Sequence, residues 1–85
     1  MIRALLVLSL VVLTGKIVGI DYLREKMLLA QPRKRTVNVY ILPSTTIQSK
    51  NDGYHSIADL KKGAHVEIYT SVRGTRTDAE IIKLL

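Results

Sequence analysis

Apolar and polar residues alternate in short runs along most of the chain, and turn-forming residues separate the runs. Residues 35–42 give the clearest run: Val37, Val39 and Ile41 alternate with Thr36, Asn38 and Tyr40. A period of two is the signature of a strand with one buried face, so the first set is expected inward and the second outward. Pro43 is expected to end this strand, because proline supplies no ladder N–H. Residues 16–21 and 26–30 form two earlier strand candidates, joined by the hairpin connection 21–25. Gly15 and Gly19 flank the first of these, where a small barrel needs a bulge or a bend. Gln31, Pro32, Arg33 and Lys34 make a polar turn. Residues 44–47 continue as an extended β-branched piece, and Asn51-Asp52-Gly53 signals a further turn.

The pattern then changes. Ser56 is a favourable helix N-cap with Asp59 three positions later, and Ile57 and Leu60 share one face of a helix of about one turn. Gly63 is placed to stop it in the left-handed conformation. A fourth strand follows at 65–70, with Val66 and Ile68 inward and Glu67 and Tyr69 outward. After the turn Arg73-Gly74-Thr75 comes a fifth strand at 79–84, whose adjacent Ile81 and Ile82 leave its register open. Three strands, a short helix and two strands is the order of an OB-type barrel, with the helix closing one end. The expected fold is therefore an all-β, five-stranded OB-like barrel over residues 15–85, preceded by an apolar segment over 1–14.

That segment has the layout of a secretory signal. Arg3 supplies a basic start, and residues 4–13 are apolar except for Ser9. The run is too short to span a bilayer. Leu13-Thr14-Gly15 begins like a lipobox, but Lys16 stands where cysteine would be required. Cleavage is expected close to 13–15; the alternative is that 10–13 already belongs to a barrel strand.

Composition narrows the chemistry. The 85 residues include no Cys, Phe or Trp and only four Tyr, so the core is aliphatic and neither disulfides nor thiolate chemistry is available. The formal net charge of +6 favours acidic partners such as nucleic acid, anionic lipid or anionic envelope polymers.

The chain resembles a bacterial secreted domain family of unknown function, a group of small OB-like barrels. Residues 15–21 are similar to its opening G-x-V-x-x-V-D, and residues 39–47 to its V-x-V-x-P-S-T-x-I. Residues 58–68 are similar to x-D-L-x-x-G-x-x-V-x-V, and residues 79–82 to A-x-x-I. The resemblance implies an exported barrel and carries no catalytic residues with it.

Candidate chemistry is sparse. His55 and His65 lack metal-ligand spacing, and the acids are scattered over turns and outer faces. No catalytic residue, cofactor or metal is expected. OB barrels bind single strands with a basic groove and stacking aromatics. Arg33, Lys34 and Arg35 at the entry to the third strand, outward Tyr40 and Tyr69, and Arg73 and Arg76 in the last loop form the candidate ligand surface. The leading expectation is a non-enzymatic, exported binding or interaction module of the bacterial envelope, its partner an anionic polymer or a protein. The second is a single-stranded nucleic-acid-binding protein. Membrane contact is expected only through the N-terminal segment, with residues 33–35 against anionic lipid.

Overall fold

The computed structural model describes residues 10–49 and 53–85. The expected signal-like residues 1–9 and most of the Asn51-Asp52-Gly53 turn lie outside the described residues. Six strands and one 3-10 turn follow in order: β1 (Leu10–Asp21), β2 (Lys26–Ala30), β3 (Val37–Gln48), β4 (Tyr54–His55), the turn Ile57–Asp59, β5 (His65–Arg73) and β6 (Arg76–Leu84). β4 is a two-residue appendage on the end of β3. The other five close into a barrel in the order β1-β2-β3-β6-β5, with β5 returning to β1. All their pairings are antiparallel except β3 with β6, which is parallel. This is the OB-type arrangement expected from the sequence.

The core is aliphatic, as the composition requires. Ile17, Met27, Leu29, Val39, Val66, Ile68 and Ile82 are essentially inaccessible, and Ala79, Ile41 and Ile47 complete the cluster. Leu60 closes one end at 0% exposure, although the turn leading to it is a single 3-10 turn rather than an α-helix. The turn is held locally: the Asp59 carboxylate accepts from the Ser56 N–H at 2.9 Å, and the Tyr22 hydroxyl donates to the Leu60 carbonyl at 2.7 Å. Gly63 stands at φ +96°, where a side chain is strained.

Three expectations need correction, and one register left open is decided. β1 begins at Leu10, not at residue 16; residues 10–16 pair with β5, from Leu10 opposite Ser71 to Lys16 opposite His65. An apolar run can serve as strand or as export signal, and the ladder offered by β5 makes it a strand here. Pro43 does not end β3. Ile41 lies opposite Ala79 and Thr46 opposite Ile81, so residues 42–45 bulge outward past Glu80. In that bulge the Thr45 hydroxyl accepts from the Leu42 N–H at 2.8 Å and donates to the Ala79 carbonyl at 2.6 Å, so a side chain stands in for the missing ladder. β5 and β6 run on to meet at a tight Gly74–Thr75 turn, longer than the 65–70 and 79–84 expected. The register of β6 is set by a bulge at Glu80, since Tyr69 opposes Ile81 and Thr70 opposes Ala79. One extra residue turns Ile82 and Ala79 inward and leaves Ile81 on the outside.

Gly15 lies inside β1, not at its edge. A Cβ there would collide with the Ala30 carbonyl oxygen, so glycine lets the two backbones approach.

Candidate functional site

Alternation along β2 puts Met27 and Leu29 in the core, so Lys26, Leu28 and Ala30 face outward. Each heads a rung across the sheet. Asp21, Lys26, Tyr40 and Asp78 form the first, Gly19, Leu28 and Asn38 the second, and His65, Lys16 and Ala30 the third. This outer face of β2 and β3 is where Lys26 and Arg76 meet the Tyr40 ring.

On the first rung the Arg76 guanidinium carbon stands 4.5 Å from the Tyr40 ring centroid, and the Lys26 ammonium 6.0 Å from it. Arg76 is fixed in turn by its Nε, which donates to Asp78 Oδ1 at 2.7 Å. The Asp78 side chain is only 6% exposed, so this is a nearly buried anchor for a half-exposed arginine. A carboxylate underneath and a ring beside it pre-position the guanidinium. Gly19 has no side chain, and a shallow groove lies along the second rung between Leu28 and Asn38. On the third rung an apolar pit is bounded by Gly15, Ala30 and Pro32 and edged by Lys16 and His65. Arg33, Lys34 and Arg35 are exposed in the turn beyond it. Arg33 adopts φ +60°, and the Lys34 N–H donates to the Gln31 carbonyl at 3.2 Å.

The sequence-derived candidates therefore separate into groups. Tyr40 and Arg76 come together. Arg73 is close by, opposite Arg76 at the end of the β5–β6 hairpin. Arg33, Lys34 and Arg35 sit at the far end of β2. Tyr69 belongs to neither: its ring meets Lys83 at 5.3 Å and its hydroxyl donates to Glu67 at 3.1 Å, on the outer face of β5 and β6. Sequence reasoning missed Lys26 and Lys16. Both occupy outward positions of strands it had placed, so the alternation could have revealed them. Asp78 and Gly19 carried no such signal, because their roles depend on cross-strand register.

Asp59 has a displaced pKa. The Ser56 backbone N–H, and then the neighbouring His55, hold its carboxyl below the ordinary carboxylate value. It stabilises the 3-10 turn and is remote from the β2–β3 face.

No family model matches the sequence, and no curated protein matches it. Among solved structures, the chain is similar to apo-CusF from Escherichia coli, with a TM-score of 0.75, 18% identity, and coverage of 98% of this chain and 95% of that one. It is similar to CusF with Ag(I) from the same organism, with a TM-score of 0.74, 19% identity, and coverage of 92% and 94%. A CusF variant with Cu(II), also from Escherichia coli, gives a TM-score of 0.72 at 19% identity, covering 89% and 91%. At this identity the likeness is one of fold. The metal-binding chemistry named for those structures does not fit the described residues of this chain. Soft ions such as Ag(I) favour thiolate, thioether and imidazole donors. There is no Cys, and Met27 is locked in the core at 1% exposure. His55 faces Asp59, and His65 pairs across to Lys16. Among the described residues no three His, Cys, Asp or Glu side chains converge.

Proposed function

We propose that this chain is a non-enzymatic, exported binding module of the bacterial envelope, and that it takes an anionic ligand on the outer face of β2 and β3. The observation that carries this reading is the Arg76–Tyr40–Lys26 cluster braced by Asp78, on the face and beside the last loop that OB folds commonly use for ligands. The net charge of +6 favours an anionic partner. Export is supported by Arg3 and the largely apolar residues 4–9 that precede β1, and the resemblance to small secreted barrels points the same way. Metal cargo is not part of the reading, because among the described residues no three His, Cys, Asp or Glu side chains converge.

The test is a calorimetric titration of the full-length protein with soluble anionic polymers at low and moderate salt. Binding is expected at low salt, weaker as salt rises, and several-fold weaker in Arg76→Gln. Absence of binding to every anionic polymer at low salt overturns the reading. A second reading, single-stranded nucleic acid, draws on the same Tyr40 ring, since an aromatic flanked by cations also stacks a base. It requires Tyr40→Ala to cost about 1–3 kcal/mol in oligonucleotide binding.

A further inference from the structure

The three rungs form a continuous track. It begins at Arg76, Tyr40 and Lys26, passes the groove at Gly19, Leu28 and Asn38, and ends in the pit beside Lys16 and His65. Lys26, Leu28 and Ala30 succeed one another at every second residue of β2, so the track is about 13 Å long at about 3.3 Å per residue. Beyond it the exposed Arg33, Lys34 and Arg35 carry positive charge further. Cations thus cluster at both ends, and the middle offers Leu28, Asn38 and a glycine floor. The two carboxylates on the first rung are already engaged. Asp78 holds Arg76, while Asp21 accepts the Leu23 and Arg24 N–H groups at 3.1 and 3.0 Å and faces the Arg24 guanidinium at 3.9 Å.

A small anion would use one end and leave the other idle. We infer that the ligand is a linear anionic polysaccharide lying along β2 and bridging the two cationic ends; this rests on the anionic-ligand reading above. Sugar rings present apolar faces that suit Tyr40 at one end and Ala30 and Pro32 at the other, while their acid groups meet Arg76, Lys26 and Lys16. A nucleic acid strand suits the track less well. Non-specific single-strand binding stacks successive bases on successive aromatics, and Tyr40 is the one aromatic on these rungs.

The experiment titrates the full-length protein with oligogalacturonates of increasing length, from the monomer upward, beside an oligothymidylate of matching contour length. Affinity is expected to climb with glycan length until the track is spanned, reaching roughly 10²-fold above the shortest oligomers that bind, because the second end is engaged intramolecularly. Lys16→Gln combined with Arg33→Gln is expected to remove that gain, so that long oligomers bind no better than the shortest ones, and Tyr40→Phe is expected to retain it. Circular dichroism melts check that each variant stays folded. Length-independent binding, or a gain untouched by the Lys16 and Arg33 changes, overturns the bridging inference and leaves the anionic-ligand reading standing. Failure of all anions to bind removes both. Tighter binding of the oligothymidylate replaces the polysaccharide with nucleic acid.

Discussion

Leu60→Ala tests how the barrel is closed. Leu60 is wholly buried, follows a 3-10 turn of only three residues and packs with Ile57 against the core. The substitution deletes three carbons beyond Cβ. At about 0.8 kcal/mol per buried carbon the transfer loss alone is about 2.4 kcal/mol. A cavity adds to this by about 24 cal/mol per Å³ that the surroundings fail to fill. Here they can partly fill it, because the turn is a surface element tied to the β1–β2 turn by the Tyr22–Leu60 hydrogen bond and can settle inward. The expected cost is therefore about 3 kcal/mol, in the lower half of the range for buried Leu→Ala changes. For a domain of this size each kcal/mol moves the midpoint by about 4–8 °C, so the melt should fall by about 12–24 °C. Thermal denaturation followed by circular dichroism measures it, with urea denaturation as a second estimate. A midpoint within a degree or two of the parent would refute the assignment of Leu60 as the plug and, with it, the account of what holds a one-turn element that could not persist alone in water.

Other outcomes follow from the same packing. Gly15→Ala should be more harmful than its size suggests, because the added Cβ meets backbone at Ala30 and not a movable side chain; loss of a cooperative melt or a large fall in its midpoint is expected, and an unchanged midpoint would contradict the close approach. A chain starting at Lys16 loses residues 10–15 of β1, which pair with 66–71 of β5, so it should lack a cooperative transition, whereas one starting at Leu10 should keep it. Asp59 has its folded pKa lowered by the Ser56 N–H and then by His55, so its stabilising contribution is present above the ordinary carboxylate pKa and is lost as pH falls through the lowered folded value. Asp59→Asn should accordingly narrow the stability difference between neutral and acid pH; melts across that range check the sign.

Much of the fold is written in local pattern. The period-two run ending at Ile41 determines which face of β3 is buried, and Val66 and Ile68 do the same for β5. Turn residues mark the hairpins, and Ser56, Asp59, Leu60 and Gly63 together specify a one-turn plug with a left-handed stop. Composition alone determines that the core is aliphatic and that thiol chemistry is absent. These features are local because alternation, capping and backbone conformation act over a few residues.

What only the tertiary structure decided involves partners distant in sequence. Residues 10–13 form a strand because β5 offers them a ladder more than fifty residues later, and nothing in an apolar run separates that outcome from an export signal. β3 survives Pro43 because Thr45 reaches the Ala79 carbonyl, and Ile82 points inward because Glu80 bulges against β5. The candidate surface follows the same division. Its cations and Tyr40 were visible as residue types, but a strand does not reveal its neighbours. Barrel closure, with β3 parallel to β6, brought Arg76 onto Tyr40 over Asp78, left Tyr69 on another face, and joined Lys26 to Lys16 along β2. Register sets these contacts, and register is a property of paired strands rather than of either strand alone.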